Sequence, residues 1–146
     1  MRTLLTAATL ALFSGPALAA PLCDNLAFSG LLAKCNRGDT IEVTLSSGKP
    51  LGEGPVILES GAYYEMEITA DGTAEIGLTG PDFFRAIWMD EIVINDIEVR
   101  PMAIDSFEFD DAGTAEFSFI AIKPGRYHIL IPGTTGESQR LEIRIQ

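Results

Sequence analysis

From residue 38 onward the chain alternates polar and apolar residues in short runs separated by turn-forming residues. Thr40-Ile41-Glu42-Val43-Thr44-Leu45 keeps a period of two and stops at Ser46-Ser47-Gly48-Lys49-Pro50. A period of two puts every apolar side chain on one face, the mark of a half-buried strand. Tyr63-Tyr64-Glu65-Met66-Glu67-Ile68-Thr69 repeats the pattern and runs into Asp71-Gly72, which predicts a hairpin with residues 73–79 as its return strand. Gly80-Pro81-Asp82 breaks the ladder, and Phe83-Phe84-Arg85-Ala86-Ile87-Trp88-Met89 after it reads as a helical turn or an irregular crossover. Further strands are predicted over 92–94, 106–109, 114–122, 126–131 and 140–145. Short strands at this spacing, punctuated by Gly and Pro, predict an all-β sandwich. Gly72-Thr73-Ala74-Glu75-Ile76 is echoed by Gly113-Thr114-Ala115-Glu116-Phe117. The echo is too short for a repeat architecture and reads as one hairpin chemistry used twice.

The first residues follow a different pattern. Met1-Arg2 gives a positive start, residues 4–13 an apolar stretch too short to cross a bilayer, and Ala17-Leu18-Ala19 a small-x-small cleavage signal. Residues 1–20 are therefore expected to be a secretory signal peptide, cleaved after Ala19 or Ala20, with no membrane insertion afterwards. Pro21 and Leu22 stand where a lipoprotein would need its cysteine. A bacterial periplasm is the expected compartment. In such an oxidising setting Cys23 and Cys35, the two cysteines of the chain, are expected to form a disulfide. The bridge would staple residues 21–38, with a short helical segment over 26–33 capped by Asp24-Asn25, to a sandwich over 39–146. A metal-binding or redox thiol pair is the alternative, and it lacks C-x-x-C spacing.

Charge narrows the partners. The chain carries 10 basic and 21 acidic residues, a formal charge of -11. Loss of Arg2 with the signal makes 9 minus 21, or -12. Nucleic acid is not an expected partner, because phosphate binding needs clustered Lys and Arg. The acids are dispersed, so they read as a solvated surface, or as a face that steers a cationic partner.

Four features together resemble the cupredoxin family, domains of the plastocyanin and azurin kind. They are the Gly38-Asp39-Thr40-Ile41 strand start, Asn95 followed by a loop, the Asp110-Asp111-Ala112-Gly113 turn and the Pro124-Gly125-x-Tyr127 corner. The resemblance covers residues 40–146 and implies a Greek-key β-sandwich. It also implies a Tyr127 ring packed in the core with its hydroxyl bonded back to nearby backbone. A blue copper site in that family takes a His after the Asn-bearing loop, then a Cys, a second His and often a Met, because thiolate and imidazoles hold copper in trigonal geometry. Here the first His position falls near Arg100 and the Cys position near Ile131, and the loop Pro132-Gly133-Thr134-Thr135-Gly136-Glu137-Ser138 has no imidazole, thiol or thioether. The whole chain has one histidine. The resemblance thus implies the fold with its copper ligands missing.

What remains is a short set of candidates. His128 sits in a strand, and with Met66, Met89 and Met102 it offers soft ligands for Cu(I), Met102 and His128 being the candidate metal residues. No Ser or Cys has a catalytic motif about it, and the adjacent pairs Asp90-Glu91 and Asp110-Asp111 diverge, so no enzyme is expected. No calcium-loop ladder and no phosphate cradle is present. Phe83, Phe84, Arg85, Trp88 and Met89 are hot-spot residue types and form a candidate partner patch; the alternative is that they plug one end of the sandwich. Two functions are carried forward. One is a non-catalytic interaction or accessory module of a periplasmic redox or metal-handling system, without cofactor and docking on another periplasmic protein. The other is a small copper carrier built on Met, His and carboxylate ligands.

Overall fold

The computed structural model describes residues 22–146; the signal-peptide expectation lies outside them. Among the described residues ten strands make two five-stranded sheets. Sheet A holds β1 (Ile41–Leu45), β3 (Tyr63–Ala70), β8 (Gly113–Ala121), β5 (Ile87–Ile94) and β6 (Ile97–Val99), in that spatial order. Sheet B holds β2 (Val56–Leu58), β10 (Arg140–Ile145), β9 (Gly125–Leu130), β4 (Ile76–Thr79) and β7 (Ser106–Phe109). β1 runs parallel to β3 and β2 parallel to β10; the other pairs are antiparallel. The fold is an all-β sandwich, as the alternation predicts.

The alternation also sets the core. On β1 the apolar positions Ile41, Val43 and Leu45 are buried while Glu42 and Thr44 face out. Met66 and Ile68 of β3 meet Phe117 and Ala115 of β8 across the ladder, and Leu78, Ile129, Leu141 and Ile143 close the core from sheet B. The Pro-Gly-x-Tyr corner behaves as the resemblance implies. The Tyr127 ring lies 6.4 Å from Phe83, and its hydroxyl donates to the Lys123 carbonyl at 2.8 Å.

Asp71-Gly72 does not make a hairpin. β3 pairs with β1 and β8, whereas β4 sits in the other sheet against β7 and β9. Of the nine connections between ten strands, two stay within a sheet, β5 to β6 and β9 to β10, and seven cross. Asp71 serves a corner instead. Its Oδ1 accepts the Thr73 N–H at 3.0 Å and the Thr73 hydroxyl at 2.6 Å, and hydrogen bonds from Ser46 and Thr73 hold its carboxyl well below the usual carboxylate range. The echoed turn before Gly113 is the matching corner from β7 to β8, and the two corners lie side by side, with Ala70 opposite Gly113. The repeated sequence marks two crossovers, not two hairpins.

The tight hairpin lies at Asn95-Asp96, read from sequence as the start of a loop. Both residues adopt left-handed backbone, with φ of 50° and 63°, the combination a two-residue hairpin turn with right-handed strand twist requires. Asp96→Val should therefore cost about 1–2 kcal/mol while Asp96→Gly stays within about 0.5 kcal/mol of wild type, since only a residue without a branched Cβ tolerates that φ. Urea unfolding of the two variants checks this, and equal midpoints would remove the conformational argument.

The N-terminal segment departs from expectation in what anchors it. Cys23 and Cys35 are bonded, with Cα atoms 5.8 Å apart. Both lie in the segment itself, so the bridge closes the segment on itself and does not staple it to the sandwich. The helical stretch is a 3-10 turn over Ala27–Leu32, interrupted at Gly30, with the Ala27 N–H donating to the Asn25 side chain. Anchoring falls to Asn36. Fully buried, it accepts the Leu22 N–H and donates to the carbonyls of Leu31 and Gly61.

Candidate functional site

Pro81–Phe84 forms a single helical turn, α1, started by Pro81 in the first position, where its missing N–H costs nothing. The turn carries Phe83 and Phe84 inward, 0% and 8% exposed, against Phe119, Tyr127, Phe107 and Phe117. These two cannot belong to a partner patch: they plug the sandwich. Ile87 to Met89 are not a crossover either, because they open β5, and Met89 packs against the core. Arg85 and Trp88 remain outside, Trp88 at 45% exposure opposite Ile120 on the outer face of sheet A.

The positions at which the resemblance places copper ligands do not converge. Arg100 follows β6 and reaches Asp90 at 3.0 Å, Glu91 at 2.8 Å and Glu98 at 3.5 Å. Asp90 in turn accepts the hydroxyl of Tyr63, the first residue of β3, at 3.1 Å. Burial above all, with the Asp90 charge behind it, pushes the Tyr63 phenol up. The Arg37 guanidinium lies over the Tyr63 ring at 4.1 Å and completes the network. Ile131 stands beyond the last residue of β9, packed on the core, and lines a cavity with Ser46 and Lys49, which follow β1. The last residue of β1, Leu45, pairs with the last residue of β3, Ala70. Arg100 thus belongs to the end where β3 starts and Ile131 to the end where it finishes. By register Val99 lies across Ile92 and Phe117 from Met66, so the Arg100 backbone stands level with Glu65, five residues from Ala70 or on the order of 16 Å along the strand.

The soft-ligand candidates are equally scattered. Met66 is fully buried between the sheets. His128 faces outward from sheet B opposite Glu142 and lines a small cavity with Gly54, Pro55 and Glu137. Met102 is fully exposed in the loop from β6 to β7, the two strands at the far edge of the sandwich. A sheet separates Met66 from His128, and neither is brought to Met102. Among the described residues one carboxylate trio converges, Glu75, Glu108 and Asp110, with ligand atoms within 4.8 Å of one another. All three are exposed, and three hard oxygens suit hard cations rather than copper. The donor set at these positions does not fit the copper centre that the resemblance implies.

A feature with no sequence signal is the groove between the edges of the sandwich. β1 ends sheet A, β2 ends sheet B, and both outer edges lie on the same side. The groove between them has a volume of about 850 Å³. Its floor is Ile41, Leu58 and the nearly buried Tyr64, and its walls carry Asp39, Glu42, Glu53 and Glu59 against, among the described residues, the single cation Arg37. The Tyr64 oxygen accepts the Glu59 N–H at 2.9 Å, which leaves its proton free to be donated. Burial first, then the charges of Glu59 and Asp39, raise the Tyr64 phenol and keep that proton in place. β2 has three residues and no alternation to read, so the sequence could not show that a groove exists.

No protein-family model matches the sequence, and no curated protein matches it either. Solved structures match the fold. A laccase-like multi-copper oxidase from Ochrobactrum sp. superposes with a TM-score of 0.55 at 9% identity, over 75% of this chain and 31% of that one. A multi-copper oxidase from Pseudomonas thermotolerans gives 0.52 at 14% identity, over 73% and 29%. A copper nitrite reductase from Nitrosomonas europaea gives 0.51 at 14%, over 65% and 33%. The chain spans about a third of the length of these proteins. At such identities the likeness is one of fold: this is a cupredoxin-like β-sandwich domain, similar in fold to domains of copper proteins.

Proposed function

We propose that the chain is a non-catalytic cupredoxin-like domain serving as an interaction or accessory module of a periplasmic redox or metal-handling system. One observation carries the reading. The two positions the resemblance assigns to copper lie at different ends of the sandwich, one held by an ion-paired arginine and the other by a packed isoleucine. A thiolate and imidazoles are what the metal needs there, and neither Arg100 nor Ile131 supplies one. What the fold keeps is a rigid two-sheet scaffold with edges and faces available to a partner. The redox or metal-handling setting rests on fold analogy with the oxidases and the nitrite reductase. The periplasm rests on the signal-peptide pattern of residues 1–20, and the Cys23–Cys35 bridge agrees with it.

Titration of the oxidised mature protein with Cu(I) and Cu(II) against competing chelators tests the reading. The expected result is no stoichiometric binding tighter than about micromolar, or roughly -8 kcal/mol. Tighter binding that is lost in Met102→Leu or His128→Gln would transfer the function to a copper carrier.

A further inference from the structure

The groove between β1 and β2 has features that a partner-binding module needs and that packing does not explain. Edge strands expose unpaired N–H and C=O groups, and proteins usually cover or blunt them. Here two edges face each other. The Thr44 N–H turns away from β3 and is taken by the Leu51 carbonyl at 2.8 Å, so the 46–55 loop covers that part of the edge. Gly52 of the same loop lies so close to the Glu42 carbonyl that a Cβ there would stand 3.1 Å from it, so the uncovered part of the edge is its start, Thr40 and the Glu42 N–H, which lines the groove. An extended chain laid there would meet backbone groups of β1, the apolar floor, the Tyr64 proton and the half-exposed Ile57 on the β2 side. The volume lies within the range of ligand sites.

Charge decides the occupant. Four carboxylates against one guanidinium line the groove, so a second copy of this chain, at -11 overall, would be repelled. We propose that the groove takes an extended, Lys- or Arg-bearing segment of a partner protein, which pairs as a short strand with the uncovered start of β1. Main-chain pairing supplies affinity in this mode, and alternate side chains supply specificity. Cationic side chains meet Asp39, Glu42, Glu53 and Glu59 on the walls, and the apolar side chains between them meet Ile41, Leu58 and Ile57. The inference rests on the interaction-module reading and names the chemistry of the partner.

Fluorescence anisotropy of labelled alternating Val-Lys and Val-Glu octapeptides on the oxidised mature protein tests it. The Val-Lys peptide is expected to bind and to weaken at least about 10-fold between roughly 0.05 and 0.5 M salt, as a carboxylate-lined site requires. Glu42→Lys with Glu53→Lys, two surface changes, should weaken it at least about 10-fold and let the Val-Glu peptide bind instead. N-methylation of alternate peptide amides should abolish binding if the peptide pairs as a strand. Amide shifts on binding should fall on Ile41, Glu42, Val43 and Ile57. Equal affinity of the Val-Lys peptide for wild type and the double variant, no binding at all, or shifts confined to another face would each overturn the groove proposal. Those results leave the module reading standing, because that reading fails in the copper titration and not here.

Discussion

Phe83→Ala will lower the stability of the domain by about 3–5 kcal/mol, the cost of an emptied aromatic site in a closed core. Its ring is fully buried and stands 5.5 Å from Phe119, 5.8 Å from Phe84 and 6.4 Å from Tyr127, so no neighbour can collapse into the space without breaking an aromatic contact. At about 4 °C per kcal/mol for a domain of this size, the fall is roughly 12–20 °C in thermal midpoint. A typical total of 5–15 kcal/mol leaves little margin. Phe83→Leu, which keeps most of the volume, should cost about 1–1.5 kcal/mol and preserve a cooperative transition. Trp88→Ala, from a side chain already half in water, should cost less than about 1 kcal/mol. The ordering of the three midpoints is the measurement. A Phe83→Ala protein as stable as Trp88→Ala would mean that the ring is not in the core, and the band from Phe83 to Met89 would again be a contact surface.

The same segment shows what the sequence carries and what it does not. Alternation reports which side of a strand is buried, and it located β1, β3, β7, β8, β9 and β10 to within two residues at either end. It does not report which sheet a strand joins. Asp71-Gly72 therefore looked like a hairpin, although hydrogen bonds to an Asp side chain serve a crossover corner as well as a reversal. Aromatic residues are enriched both at hot spots and in cores, so Phe83 and Trp88 are alike in sequence; a single helical turn started by Pro81 separates them. The want of a type 1 ligand set was legible by counting, because one histidine cannot supply two imidazoles. The groove was not legible, because it is made by two edges that meet only once both sheets have formed.

Asn36→Ala will cost about 2–4 kcal/mol and release the N-terminal segment, a larger loss than opening the disulfide beside it. Asn36 is fully buried and uses its whole amide: the oxygen takes the Leu22 N–H at 2.9 Å, and the nitrogen gives its two protons to the carbonyls of Leu31 and Gly61 at 2.8 Å each. Three net hydrogen bonds at about 0.5–1.5 kcal/mol each total about 1.5–4.5 kcal/mol, and the expected loss is the middle of that span. Two of the bonds close the segment and the third ties it to the sandwich, so the side chain is at once clasp and anchor. The disulfide spans 12 residues, and a loop of that length restricts the unfolded chain by about 3 kcal/mol in the entropy model. That figure applies in full only when the segment unfolds together with the sandwich. In Cys23→Ser with Cys35→Ser the exposed loop can fray by itself, and the loss seen in the sandwich is capped by the docking energy that Asn36 and its neighbours provide. Urea unfolding paired with limited proteolysis of residues 24–34 separates the cases. The cysteine variant should be cut early at a midpoint close to wild type, and Asn36→Ala should both be cut early and unfold at lower urea. Asn36→Asp sharpens the test. It keeps the acceptor for Leu22 and replaces both donors with an oxygen facing two carbonyls, so at neutral pH it should be at least as damaging as alanine. A buried carboxyl that must give a proton to a carbonyl has its folded-state pKa raised, so the penalty sits above the unfolded value and fades as pH falls through the folded one. Stability that recovers toward acid in Asn36→Asp, with no such recovery in Asn36→Ala, is the expected signature. Parallel acid profiles would mean that the amide protons are not what holds the segment down.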